Sequence, residues 1–208
     1  MPTLLKLDSS PMGDRSISRK LTTRFADSWL EAHPGGIVIT RDLTALSLPV
    51  VDGAWVGAAY TPEDARTPEQ NKVLSVSEAL IAELKQADEY VLGVPMHNFS
   101  IPSTLKLWID QVVRSGKTFS YTSSGPAGLL TGKKATLLLA SGGTYDPSTA
   151  LASMNFVTPY LRAVLGFVGI TDVTIIAAEG TAQLMSGKVD PQSFLAPFLE
   201  KVQNHASL

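Results

Sequence analysis

Four serines crowd a short stretch near the start of the chain: Ser9, Ser10, Ser16 and Ser18. The apolar run Thr3 to Leu7 precedes them, and Ile17, Leu21, Phe25 and Trp29 then recur every four residues. That pattern predicts a strand, a loop and an amphipathic helix. Ser16 is the expected N-cap, because its hydroxyl can accept from an amide of the first turn. Hydroxyls and unpaired amides at a helix N-terminus suit a phosphate. The helix dipole alone supplies only about 0.3–1 kcal/mol, so several hydrogen bonds must share the work. The same serines also suit plain capping and solubilising of a loop.

A second stretch, Met96-His97-Asn98-Phe99, follows the apolar run Glu89 to Val94, which stops at Pro95; Pro102 then opens a helical pattern. Amides of such a loop can bind the edge of a heteroaromatic ring, on which Met96 and Phe99 can pack. A third, Ser141-Gly142-Gly143, ends the run Ala135 to Ala140. Glycine has no Cβ, so backbone can approach a ligand closely there, although an ordinary strand-to-helix turn has the same composition.

Other chemistries are poorly supplied. There is no cysteine, which removes disulfides, thiolate metal sites and cysteine nucleophiles. A serine nucleophile needs a nearby histidine base, but His33 sits in a helix-terminating loop, His205 in a frayed terminus, and His97 reads as a loop wall. Metal-ligating histidine spacing is absent. Asp8 stands at a strand end with no visible partner. No Gly-x-Gly-x-x-Gly follows the first strand. Ser115-Gly116-Lys117-Thr118 mimics the end of a phosphate-binding loop, but Gln111 occupies the required first glycine position and a helix precedes it.

The elements that must position these loops alternate. Strands are expected at Thr3–Leu7, Ile37–Thr40, Glu89–Val94, Ala135–Ala140 and Asp172–Ala177. Helices are expected from Ser18, from Pro68 with the stripe Val73, Val76, Leu80 and Leu84, and after Pro102 with Leu105, Trp108, Ile109, Val112 and Val113, stopping at Gly116. Two more cover Phe156–Phe167, interrupted early by Pro159, and Gln192–Val202, kinked or started late by Pro197. Thr118–Thr122 reads as an extended excursion, with Pro126 and Gly128 marking a turn, and 42–68 is an irregular loop whose length suits either a functional loop or one carrying short helical pieces. Such alternation predicts an α/β fold: a doubly wound, five-stranded parallel sheet of flavodoxin-like order 2-1-3-4-5, helices on both faces. A single domain over residues 1–208 is expected, and 44% hydrophobic residues supply its core. In that order the three loops are neighbours at the carboxyl ends of strands 1, 3 and 4.

A net charge of −2 gives no basic footprint for nucleic acid or membrane surfaces. No apolar run approaches membrane-spanning length, and the N-terminus is too quickly polar for a signal peptide, so a cytoplasmic location is expected.

The run Pro95-Met96-His97-Asn98-Phe99-Ser100-Ile101-Pro102, with Leu105-Lys106 after it, resembles the flavin-binding signature of the FMN-dependent NADH-azoreductases, also called NADH:quinone oxidoreductases. Asp8-Ser9-Ser10 with Ser16-Ile17-Ser18, Arg41-Asp42-Leu43, Gly116-Lys117-Thr118-Phe119 and Leu165-Gly166-Phe167-Val168-Gly169-Ile170 agree with it in the same order. The resemblance implies a homodimer with an active site at each end of its interface and non-covalent FMN. It implies Ser10, Ser16, Ile17 and Ser18 around the phosphate; Pro95, Met96, His97, Asn98 and Phe99 along the ribityl chain and ring; and Ala140, Ser141, Gly142 and Gly143 at the ring's other edge. It implies NADH or NADPH as donor, and quinones or aromatic azo compounds as acceptors in a ping-pong two-electron cycle. His97, Phe119 and Tyr121 would lie on the substrate side, the last two reaching in from the partner subunit. His97 stands where the family commonly has tyrosine, and Ser141 where it often has arginine; both bear on donor preference and substrate range. A flavodoxin-type electron carrier without a substrate of its own is the alternative, but such carriers are usually strongly acidic.

Overall fold

Short apolar runs bounded by prolines and glycines become the strands of one central sheet. In the computed structural model, which describes residues 1–187 and 189–208, these are β1 (Thr3–Asp8), β2 (Ile37–Asp42), β3 (Glu89–Pro95), β6 (Lys134–Ala140) and β7 (Asp172–Ala178). They pair in parallel in the order β2-β1-β3-β6-β7, which is the expected 2-1-3-4-5 arrangement. β4 (Phe119–Thr122) and β5 (Gly125–Gly128) form a separate antiparallel hairpin.

The helices are α1 (Ile17–Ala32), α2 (Gly53–Tyr60), α3 (Pro68–Gln86), α4 (Ser103–Val112), α5 (Val157–Phe167), α6 (Ala182–Met185) and α7 (Pro191–Ala206). Alternate strand residues serve opposite faces. Leu5, Leu7, Leu92, Val94, Leu137 and Leu139 join one apolar cluster with residues of α3, α4 and α5. Leu4, Val91, Leu138 and Ile176 join the other with α1 and α7. Burial of each such side chain contributes about 1.5–3 kcal/mol, which fixes the sheet between two helical layers. Among the described residues no helix is long and apolar enough to cross a membrane.

Several local expectations differ from what forms. The inward face of α3 is Leu74, Ser77, Leu80, Ile81 and Leu84, while Val73 is exposed. A reading of apolar residues alone misplaces this stripe because its centre is a serine: Ser77 donates to the carbonyl of Gln111 and accepts from Arg114 Nη1 at 3.0 Å. Gly116 does not stop α4, which ends at Val112. It has φ +74° in the turn that follows, where its amide donates to Phe119 O at 2.8 Å. Pro159 does not interrupt α5; it sits in the first turn, where a missing N–H costs nothing. α7 starts at Pro191 and carries Pro197 inside it. Lys117, from the phosphate-loop mimic, is held by Glu63 at 2.8 Å and Glu78 at 3.2 Å.

Pro126 and Gly128 lie within β5 and do not form the turn. Gly128 is instead a close-approach position. A Cβ there would stand 2.1 Å from Gly169 N, against backbone that has no side chain to move aside. Gly128→Ala is therefore expected to lower stability by about 1–3 kcal/mol, read as a lower urea midpoint.

Candidate active site

The sheet register brings the three sequence-predicted loops together. Asp8 pairs with Gly93, and Pro95 with Ala140. Beyond the ladder, Ser9 N donates to Gly93 O at 3.2 Å and Met96 N to Ala140 O at 2.8 Å. The chain therefore leaves β1, β3 and β6 side by side, at the carboxyl edge where open α/β sheets bind ligands.

At β1, Ser9, Ser10, Ser16 and Ser18 are all buried. Ser9 Oγ donates to Gly93 O at 2.8 Å, so it fastens the loop to β3 and faces no ligand. Ser16 caps α1, its Oγ accepting from Arg19 N at 3.2 Å and lying 3.2 Å from Ser18 Oγ. Ile17 and Ser18 occupy the first turn, where amides have no intrahelical acceptor. The loop thus offers two neighbouring hydroxyls and unpaired amides at a helix N-terminus.

At β3, residues 97–100 form a two-residue hairpin turn. His97 N donates to Ser100 O at 2.9 Å, and Ser100 N to His97 O at 3.0 Å. Both central residues, Asn98 (φ 48°) and Phe99 (φ 70°), have positive φ, as the mirror-image turns require. Asparagine tolerates that region; phenylalanine does so at a cost of about 1–3 kcal/mol. Phe156 N supports the strained residue by donating to Phe99 O at 3.0 Å. The amides of Asn98 and Phe99 donate to no acceptor among the described residues.

At β6, Ser141, Gly142 and Gly143 are clamped from behind. Thr181 N donates to Ser141 O at 3.0 Å, Ala182 N to Gly142 O at 3.2 Å and Gly180 N to Gly143 O at 3.0 Å. Thr181 Oγ1 adds a bond to Ser141 O at 3.0 Å, and Ser141 Oγ donates to Gly143 O at 2.9 Å. With those carbonyls engaged, the amides of Gly142, Gly143 and Thr144 stay unpaired among the described residues. A Cβ on Gly142 would meet only Ala182 Cβ at 3.8 Å, so this backbone borders open space. Tyr145 links the second and third loops: its ring meets Phe99 edge-on at 6.5 Å between centroids, and its amide donates to Glu179 Oε2 at 3.1 Å.

Phe119 and Tyr121 are not brought to this edge within one chain. Phe119 is buried against Phe167, with 4.6 Å between centroids, and Tyr121 is 72% exposed beside it. Phe167 ends α5, whose N-terminus lies by Phe99, so the pair sits about one helix length, roughly 15 Å, away. A groove of about 530 Å³ lies beside His97, lined also by Ser103, Lys106 and Tyr160. The larger groove, about 610 Å³, lies away from the strand ends, between α2, α4 and α5, and is lined by Trp55, Val113, Val164 and Phe167 among others.

Sequence reasoning left Asp8 unpartnered; it is 1% exposed, takes a hydrogen bond from Thr22 Oγ1 at 2.6 Å and pairs with Lys6 at 2.5 Å. It also missed Arg19, Asp42, Glu179 and Thr181, which hold the loops from behind. Arg19 reads as part of a solvated helix face with Lys20 and Arg24. Its place three residues after a capping serine was the available signal. Burial works against the charged form of Asp42, but hydrogen bonds from Arg19 and Thr44 outweigh it and hold this carboxyl below its ordinary value. The Arg19 guanidinium is raised, chiefly by its bond to Asp42.

A family model described as "Flavodoxin-like fold" matches residues 2–204. An "FMN-dependent NADH:quinone oxidoreductase" of Acidobacterium capsulatum is 54% identical over 207 residues, covering 100% of both chains. The chain belongs to this family. A second member, from Burkholderia lata, is 48% identical over 200 residues, 96% of this chain and 97% of that one. Among solved structures, an azoreductase from Bacillus anthracis superposes with TM-score 0.89 at 30% identity, covering 100% and 99%. An FMN-dependent NADH-azoreductase from the same organism, in complex with FMN, gives 0.88 at 30%, covering 100% and 98%.

The turn at 97–100 thus departs from ordinary L-residue geometry at the carboxyl edge where the three loops meet. Because position 99 is held at positive φ, Phe99→Gly is expected to be more stable than Phe99→Ala by about 1 kcal/mol. That reverses the usual order of the two residues, and urea unfolding of both variants checks it.

Proposed function

We propose that this protein is an FMN-dependent oxidoreductase that uses NADH or NADPH to reduce quinones and aromatic azo compounds. The observation that carries the reading is the gathering of unpaired amides from three adjacent strand-end loops at one edge of the sheet, in a chain 54% identical to a relative of that name. The residues fit FMN. Ser10, Ser16, Ile17 and Ser18 supply hydroxyls and first-turn amides for a phosphate. Pro95, Met96, His97, Asn98 and Phe99 supply a wall and two unpaired amides for the ribityl chain and ring. Gly142 supplies open backbone for the other ring edge, with Ala140, Ser141 and Gly143 on either side of it.

When bound, FMN would supply the two-electron chemistry between a nicotinamide donor and a quinone or azo acceptor in a ping-pong cycle. The chain's own part is to bind, orient and exclude water. Ser16 and Ser18 hold the anionic end. The Asn98 and Phe99 turn fixes the ring's position because its backbone is set by its own two hydrogen bonds. His97, exposed at the mouth, carries a ring nitrogen to hold or pass a proton. The clamp from Gly180 to Ala182 keeps the carbonyls of 141–143 turned away, so that only donors face the ring.

A homodimer belongs to the same reading. A second copy seated on the groove between α4 and α5 would carry the partner's Tyr121 to each cleft, which accounts for an aromatic pair a helix length from its own strand ends. The cytoplasm, where the nicotinamide donors are, is the expected compartment. The carrier alternative is disfavoured by the net charge of −2 and by relatives named as oxidoreductases.

With FMN bound, the protein should oxidise NADH or NADPH when benzoquinone or methyl red is added; full FMN occupancy without turnover would sink the enzyme reading. Gly142→Val should weaken FMN binding by at least about tenfold while leaving the urea midpoint unchanged, since its side chain enters open space. Unaltered FMN affinity would remove the third loop from the site.

A further inference from the structure

Behind the serine loop lies a cationic side chain that reaches the loop only through a backbone carbonyl and holds three elements at once. Arg19, in the first turn of α1, donates from Nη2 to Ser10 O at 3.0 Å and pairs through Nη1 with Asp42 Oδ2 at 2.9 Å. The same Nη1 stands 3.7 Å from Asp8 Oδ2. Its Nε is buried and donates to nothing among the described residues, so the terminal nitrogens make all the contacts.

Two features make this arrangement matter for an anion. Ser10 precedes Pro11, and proline has no amide hydrogen. The peptide joining them therefore has only a carbonyl oxygen to present, and an oxygen facing a phosphate repels it. Arg19 turns that oxygen toward itself. Asp8 and Asp42 also end β1 and β2 directly behind the loop. Lys6 covers Asp8, but among the described residues only Arg19 forms an ion pair with Asp42. Without the guanidinium the loop would carry a misdirected dipole and a carboxylate held only by the neutral donors of Thr44, both opposed to negative charge.

We propose that Arg19 is the positioning residue that makes this cleft select the phosphorylated flavin, by holding the Ser10 carbonyl out of the anion position and covering Asp42. The proposal rests on the FMN reading above. It predicts an effect confined to the phosphate: FMN should lose affinity when Arg19 is changed, and riboflavin, which has the same ring and ribityl chain, should not.

The test is fluorescence-quenching titration of the full chain with FMN and with riboflavin, for wild type, Arg19→Gln and Arg19→Lys. Arg19→Gln should raise the FMN dissociation constant about tenfold or more and leave that of riboflavin within about twofold. Arg19→Lys, which keeps the charge but cannot bridge two oxygens in a fixed fork, should fall between; it also serves as the folded comparison if the glutamine variant proves unstable. Equal loss of both ligands would make Arg19 a merely structural residue, and unchanged FMN affinity would give it no role; either overturns the proposal. Wild-type protein that binds neither ligand would overturn the reading of the cleft itself, and this proposal with it.

Discussion

The pairing of β3 with β1 on one edge and β6 on the other is the constraint on which the rest of the structure depends. Parallel strands buried on both faces must satisfy their amides within the ladder. Tyr90, Val91, Leu92 and Val94 are accordingly nearly inaccessible. The register that satisfies them ends the three strands within two residues of one another. Past that line the ladder can no longer pair every amide. The donors left over at 17–18, 98–99 and 142–144 are therefore gathered at one edge as a consequence of how the sheet is made. Donors gathered at one edge suit a planar ligand with acceptor atoms along its rim and an anionic tail.

The loops keep their donors outward because other atoms occupy their carbonyls. Thr181, Gly180 and Ala182 do this at β6, Arg19 at β1, and the turn's own reciprocal bonds at β3. These supports lie one layer behind any ligand. Gly93 shows how tightly that layer is packed: a Cβ there would stand 2.8 Å from Thr22 Cγ2 and 3.1 Å from Asp8 Oδ1. Strain is concentrated at Phe99, whose positive φ is held by a turn and by Phe156.

The fold was legible in the sequence because its strands are short apolar runs that stop at Asp8, Pro95 and Ser141, and parallel order follows from their alternation with amphipathic helices. The capping role of Ser16 followed from its hydroxyl and its place before Ile17. The α3 stripe was not legible, since Ser77 and Arg114 satisfy each other in a buried position that polarity alone assigns to solvent. Arg19 escaped for the same reason: its partners, Ser10 and Asp42, are 9 and 23 residues away in sequence and meet it only through the sheet order. Gly128 read as a turn because nothing in the sequence says that the backbone at Gly169 comes to rest against it.

The central claim is that three loops form one flavin cleft. Residue-resolved amide hydrogen exchange, with and without FMN, tests it most directly. The account predicts that Ile17 and Ser18, Asn98 and Phe99, and Gly142 and Gly143 gain protection together on adding FMN, while the turn at Gly35 and Gly36, which precedes β2 at the opposite edge of the sheet, does not. Protection at one loop alone, with the other two unchanged, would contradict it.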